Sequence, residues 1–387
     1  MPKSHETMKR PTLLYFQQNP VFGSTEGYLF DLASNVDKMR FDTHLLCSDA
    51  SALDRFLPLQ EMDVTLHRVS NRVFTGNALR AIVTLTAWLR RVRPDIVHFN
   101  DPCLTGIISA KLARIPVAVM MHHTPELERR YNLFGRTLER LAFRTRPRVI
   151  FQNESNRQLS IKKDGVPLRD TVVIPYGLRG AWFASPDPGL RRRVRASLGV
   201  GDNQVVILTP ARLDPQKRHD ILIEAARMVL SEHQQVLFLL AGEGELRAQI
   251  EIAARQAGIE ERFRLLGFRT DIADLMRASD ILAMSSDFEG LPYAILEGSA
   301  VGLPVVSTDV SGVSYAVKDG ETGLLVPAGD VAALAQALAS LVRDPARRRR
   351  FGDAGAERAR LLFTVERMMR DTEAAYLHWL RQRKRPQ

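Results

Sequence analysis

Cysteine is almost missing from this sequence: Cys47 and Cys103 are the only thiols in 387 residues. Each falls within or just after a strand-like run, which suits small buried side chains and excludes a disulfide scaffold or a thiolate metal cluster. Long apolar runs are missing too. The longest, such as AIVTLTAWL and IPVAVMM, reach about half of the roughly 20 residues a membrane span needs. The opening MPKSHETMKRPTLLYF offers a short strand where a signal-peptide core would stand, so a soluble cytoplasmic protein is expected. Acidic residues are in deficit, with 44 Asp and Glu against 54 Lys and Arg and a formal net charge of +10. That excess calls for an anionic partner such as nucleic acid, phospholipid or a phosphorylated substrate. The arginine bursts RRRVR, RRRR and RQRKR come with no aromatic-rich RNA-binding signature and no zinc-finger spacing, which argues against nucleic acid. Asp-x-Asp, His-Glu-x-x-His, Gly-x-Ser-x-Gly and a Walker lysine loop do not occur. Metal-held phosphates, zinc hydrolysis and serine hydrolysis lose support accordingly, and no metal site is expected.

What is present is length enough for two cores and a repeated alternation of β-branched runs with amphipathic segments. TLLYFQQ, THLLCS, DIVHFND, VAVMMHH, RVIFQN and TVVIP form one series; QVVILTP, VLFLLAG, FRLLGF, DILAMSS and PVVSTDV form a second. The pattern predicts an α/β protein of two doubly wound parallel sheets, joined within YGLRGAWFASPDPGL. The expected domains are residues 1–180, residues 181–365 and a last segment, 366–387, crossing back to the first domain. Ligands of such sheets collect beyond the carboxyl ends of the strands, so two sheets facing one another would form a cleft there.

The candidate residues follow strands. In DFEGLPYAILEGSA, Pro292 suits the first turn of a helix, which places Glu289 before that helix and Glu297 on its second turn. Between them free amides, the helix dipole and the small Gly290 make an anion site. Glutamates eight apart also occur at Glu224 with Glu232 and at Glu243 with Glu251 in ordinary helical stretches, so the spacing alone says nothing. PARLDPQK sets Arg212 and Lys217 in the loop after another strand, where two cations could hold a diphosphate; a solvated basic loop is the plain alternative. AGEGEL supplies Gly242 in a Gly-x-Gly that also fits a tight turn before a helix. MMHHTPE puts His122 and His123 at a strand end, as structural histidines or as ligand contacts. In NPVFGSTEGYLFDLA, Gly23 and Gly27 do not complete Gly-x-Gly-x-x-Gly, which sets a nicotinamide site aside.

Taken in order, FGSTEGYLFDLA, PDIVHFND, VAVMMHH, VVIPYG, ARLDPQK, LLAGEGEL, RFRLLGF, DILAMSSDFEGLPYAILEGSAVGLPVVSTDVSG and DGETGLLVPAGD resemble the retaining glycosyltransferases of family 4. The resemblance covers most of the chain and is tightest in its second half. It implies the GT-B fold and transfer of a sugar from a nucleotide-diphosphate sugar, the co-substrate, with no other cofactor and no metal. It implies that Glu297 meets the ribose hydroxyls, that Glu289 meets the transferred sugar, and that Arg212 and Lys217 neutralise the diphosphate. Backbone at Gly290, Leu291, Gly23 and Ser24 would help hold phosphate and sugar; Gly242 would lie at the donor site, Gly267 and Phe268 would flank the base, and His122 would be the active-site histidine. The usual Asn-Gly after VIP is Tyr176-Gly177 here, and the frequent Gly-Gly of the first loop is Gly23-Ser24. The expected acceptor is a glycan or lipid-linked precursor of cell-surface polysaccharide or glycolipid. Rival readings are a nucleotide-sugar epimerase or hydrolase of the same fold and a catalytically silent binding module.

A further partner enters through RVFTGNALRAIVTLTAWLRRVRP. Phe74, Leu79, Ile82, Leu85, Trp88 and Leu89 recur at roughly helical spacing beside Arg80, Arg90, Arg91 and Arg93. Such a helix either rests on an anionic membrane, making the protein peripheral on its inner face, or packs its apolar stripe on the first sheet.

Overall fold

The computed structural model describes residues 10–18, 24–48, 53–70, 77–123 and 142–383. The chain divides into two compact units: the first runs to Pro175 and takes in the chain from Val365 onward, and the second spans Tyr176–Thr364.

In the first unit seven strands form one sheet: β1 Thr12–Gln17, β2 Asp42–Ser48, β3 Val64–Val69, β4 Ile96–Phe99, β5 Val117–His122, β6 Arg148–Phe151 and β7 Thr171–Val173. Their order is β3-β2-β1-β4-β5-β6-β7 and every pairing is parallel. The second unit repeats the scheme with β8 Val205–Pro210, β9 Val236–Ala241, β10 Phe263–Gly267, β11 Ile281–Met284, β12 Val305–Thr308 and β13 Gly323–Val326, ordered β10-β9-β8-β11-β12-β13. Central strands such as β4, β9 and β11 are buried along their whole length, as a sheet covered on both faces demands. Two strands are additions to the sequence reading. β3, VTLHRV, is an edge strand with only Val64 buried, and β13, GLLV, is short and begins with glycine, so neither shows the continuous apolar run of a central strand.

In both sheets the strand order reverses between the first and fourth strands in sequence, β1 with β4 and β8 with β11. Neighbouring loops there leave in opposite directions, and a crevice opens beyond the carboxyl ends. This is the feature of the fold that positions the site.

Helix Ala78–Val92 begins under an Asn77 cap, whose side-chain oxygen accepts from the Leu79 and Arg80 amides. Its apolar stripe is used within the first unit: Leu85 and Leu89 are buried, and Ile82 and Trp88 pack against the core. Burial of a leucine stabilises by about 2 kcal/mol, so these four side chains serve the crossover, while Leu79 of the same stripe is 71% exposed and Phe74 lies outside the described residues. Among the described residues no helix is long and apolar enough to cross a membrane.

The last helix, Val365–Arg383, belongs to the first unit. Glu373 accepts from the Asp37 amide at 2.9 Å and pairs with Arg40 at 2.8 Å. Tyr376 is fully buried and hydrogen-bonds His98 Nδ1. Burial lowers the His98 pKa to about 3, so this imidazole is neutral throughout the physiological range.

Candidate active site

The second unit gathers the charged candidates at the carboxyl ends of β8 and β11, its switch point. Arg212 and Lys217 follow β8, and Glu289 follows β11. Lys217 Nζ donates to Glu289 Oε1 at 2.6 Å, and Ser286 Oγ donates to the same oxygen at 2.7 Å. Both partners of the ion pair are largely buried, with side-chain exposures of 13% and 7%. The loops that carry them are tied together. Gln216 Nε2 donates to the Phe288 carbonyl at 2.8 Å, the Asp287 amide to Gln216 O at 3.0 Å, and Ser285 Oγ to Lys217 O at 2.8 Å. A buried ion pair survives only when its geometry and extra hydrogen bonds offset the loss of water, and these loops supply both. The sequence left Lys217 to a diphosphate or to solvent; the structure gives it Glu289 as a direct partner.

Arg212 behaves differently. Its side chain is 73% exposed and, among the described residues, pairs with Asp214 at 2.9 Å. An exposed pair of this kind is worth at most about 1 kcal/mol, so the guanidinium can leave it for an anion at small cost. His219 Nε2 lies 2.9 Å from the Arg212 carbonyl and burial lowers its pKa, so the neutral ring braces the loop backbone.

Helix Tyr293–Ala300 starts one residue after Pro292, which occupies its cap position. Gly290 and Leu291 are buried just ahead of it, and Glu297 lies on its second turn. Burial pushes the Glu297 carboxyl up to about 7. A carboxylate removed from water without a cation prefers to hold its proton, and ligand hydroxyls donating to it would reverse that preference. Tyr176 stacks on Tyr293 with ring centroids 4.5 Å apart and planes 17° apart, bracing the helix start.

The glycines divide by role. Gly242 has φ of 157°, and a Cβ there would overlap the Ala211 carbonyl oxygen, so close backbone approach between neighbouring loops requires glycine. Gly267 ends β10 with φ of 71°, and its carbonyl accepts from the Gly242 amide at 2.9 Å. Phe268 follows it, 76% exposed.

In the first unit His122 is the last residue of β5, buried, with its ring 5.4 Å from that of Phe151. His123 is held at both nitrogens: Nε2 lies 2.5 Å from the Asn100 carbonyl and Nδ1 3.1 Å from Gln152 Nε2. Ser24 opens helix Ser24–Asn35, while Gly23 lies outside the described residues. The sequence reading missed the buried polar group around these positions. Gln17 Nε2 donates to Glu26 Oε1 at 3.0 Å, and Asn100 Nδ2 reaches Gln17 Oε1 at 3.3 Å and Thr25 O at 3.1 Å. Gln17, Asn100 and Gln152 all stand at strand ends, in YFQ, HFN and IFQ, which is the signal that could have found them. Among the described residues no cluster of three or more His, Cys, Asp or Glu could hold a metal ion.

Comparison with known proteins sets these two edges in context. Residues 191–358 match the family described as Glycosyl transferases group 1, and residues 25–179 match Glycosyltransferase Family 4. The Escherichia coli UDP-Gal:alpha-D-GlcNAc-diphosphoundecaprenol alpha-1,3-galactosyltransferase is 25% identical over 89% of this chain and 90% of its own. A putative glycosyltransferase of Bacillus subtilis, EpsD, is 31% identical over 54% of this chain; the match takes in about half (55%) of that relative's length. The structure of Anabaena HepE in complex with UDP superposes with a TM-score of 0.81 at 22% identity, covering 95% of this chain and 100% of that one.

Proposed function

Because the chain belongs to the family 4 glycosyltransferases and has the GT-B fold, we propose that it is a retaining, metal-independent enzyme that transfers sugar from a nucleotide-diphosphate sugar to a glycan or lipid-linked acceptor. The observation that carries this reading is the buried Lys217–Glu289 pair set beside the exposed Arg212 at the switch point of the second sheet. When a nucleoside diphosphate leaves, the sugar becomes oxocarbenium-like and negative charge gathers on phosphate. Arg212, Lys217 and the amides at Gly290 and Leu291 are cations and dipoles already in place for that charge, the role a metal fills elsewhere. Glu297 accepts from the ribose hydroxyls. Glu289, its orientation fixed by Lys217 and Ser286, accepts from hydroxyls of the transferred sugar. Attack from the leaving-group face, with a phosphate oxygen taking the acceptor proton, gives retention without a protein base, and His122 contacts the reacting sugar.

A lipid-linked acceptor draws support from the E. coli relative, whose name specifies GlcNAc-diphosphoundecaprenol. HepE has been captured with UDP-glucose, which favours a UDP donor. The enzyme then works in the cytoplasm, in peripheral contact with the membrane that carries its acceptor. The test is release of nucleotide from UDP, GDP and ADP sugars, with and without a diphosphate-lipid-linked sugar. Release from one base's donors, stimulated by acceptor, is expected; no release from any of the three would overturn the reading.

A further inference from the structure

The first unit holds a basic cavity at the edge of its sheet opposite His122. The cavity measures about 800 Å³, and its polar lining includes Lys111, Arg144, Arg146, Arg148, Arg169 and Asp170. Lys111 lies in the last turn of helix Leu104–Leu112, Arg148 opens β6, and Arg169 and Asp170 belong to the short turn just before β7. The wall also includes Val117, the first residue of β5. The cavity therefore sits at the amino ends of β5, β6 and β7. His122 ends β5, about 16 Å away at roughly 3.3 Å per residue.

The charges are built in. Asp170 is buried and holds two guanidinium groups, Arg146 at 3.0 Å and Arg148. Arg148 is held from its other side by Gln382 on the last helix, 2.9 Å away. Arg146 adopts a left-handed φ of 57°, a conformation that costs a residue with a Cβ about 1 kcal/mol or more and persists only where its surroundings enforce it. Among the described residues no carboxylate pairs with Lys111, Arg144 or Arg169, leaving five cations around one carboxylate. Lysine at a helix end is common because it complements the dipole. Here, however, the cations come from several separate elements and converge on one space, so a single dipole does not account for them. Cations held together repel one another unless an anion sits among them, and forked guanidinium groups match phosphate oxygens. The volume also falls in the range of small-molecule sites.

We propose that this cavity binds a di- or multivalent phosphate group at a site separate from the one where sugar is transferred. A free diphosphate and an anionic phospholipid headgroup share that chemistry. Leu112 and Leu168, both exposed, adjoin Lys111 and Arg169 in sequence, which is why lipid forms one arm of the test. The proposal does not depend on the transfer reading, and activity is not its readout.

The experiment compares the full-length protein with Lys111→Ala/Arg144→Ala/Arg169→Ala and with Arg212→Ala. One arm titrates sodium pyrophosphate by calorimetry at constant ionic strength. The other sediments the proteins with vesicles of phosphatidylglycerol or of phosphatidylcholine at physiological salt. The triple variant should weaken pyrophosphate binding, phosphatidylglycerol binding, or both, by at least about tenfold, as expected from loss of charge-assisted hydrogen bonds. Arg212→Ala should retain the class of binding that the triple variant loses, whatever pyrophosphate binding it loses itself at the transfer site. A loss in the pyrophosphate arm identifies a soluble ligand, and a loss confined to phosphatidylglycerol vesicles identifies the headgroup. Should the triple variant melt early, Arg169→Gln alone, at an exposed position, serves in its place. Equal behaviour of wild type and variant in both arms overturns the proposal.

Discussion

The carboxyl edges of the two sheets share a topology and differ in chemistry. In the second unit charge is concentrated there: Lys217 on Glu289, Arg212 on Asp214, and Glu297 with its proton affinity raised by burial. In the first unit the buried groups are mostly amides, those of Gln17, Asn100 and Gln152, beside the ring of His123, whose Nε2 lies 3.9 Å from Asp101, and the carboxylate of Glu26, held by Gln17 and Thr25. A diphosphate leaving group needs fixed cations, whereas a hydroxyl-bearing molecule needs acceptors and donors without net charge. Under the proposed function the donor's phosphates would go to the second unit and hydroxyl chemistry to the first, from two copies of one scaffold.

The sharpest way to break this contrast is at the buried pair. Lys217→Ala strands Glu289 as a buried carboxylate, and urea unfolding should show a loss of about 3–5 kcal/mol. Lys217→Met combined with Glu289→Leu should recover most of that stability and none of the turnover. If the double variant keeps activity, the pair is structural only. Next in size is Arg212→Ala, expected to slow turnover by about 10²-fold or more through lost stabilisation of the leaving group. Because the side chain is exposed, the melting temperature should not move; a large drop in stability would instead give Arg212 a structural role.

In the first unit the expected effect is smaller and concerns stability. His123→Ala leaves the Asn100 carbonyl and Gln152 without their partner and should cost about 1–3 kcal/mol by urea unfolding. A neutral result would mean that the network is not held by His123.

The mildest test uses pH. The fold raises the Glu297 pKa to about 7, so its protonated form is favoured in the native state. Its contribution to stability is full below the ordinary glutamate range and is lost as pH rises through 7. Hydroxyl donors bind the ionised form, so nucleotide affinity should rise about tenfold from pH 6 to pH 8, following the fraction ionised. In Glu297→Gln that dependence should flatten, and the variant should gain stability over wild type at pH 8 but not at pH 4. Equal pH profiles by calorimetry would remove Glu297 from the ribose contact.

How much of this was legible in the sequence varies with the residue. Central strands announce themselves because burial on both faces forces continuous apolar runs, as in VLFLLA. β3 did not, because polar residues interrupt this edge strand and only Val64 is buried, and neither did β13, which has four residues and starts with glycine. The strand-end position of Arg212, Lys217 and Glu289 was readable, but the bond between Lys217 and Glu289 was not, since it joins loops 72 residues apart in the chain. Gly242 is a related case. Its Gly-x-Gly offered a tight turn or a donor-site loop, and the close approach of the Ala211 backbone that requires glycine there left no mark in the sequence. The basic cavity was invisible because its arginines come from elements that meet only when β5, β6 and β7 align.

The most direct test of the central claim is the anomeric configuration of the sugar first released or transferred from an α-linked nucleotide donor, followed by proton NMR in EDTA. The account predicts continued turnover and an α product. A β product, or turnover that stops in EDTA and returns with a divalent ion, would contradict it.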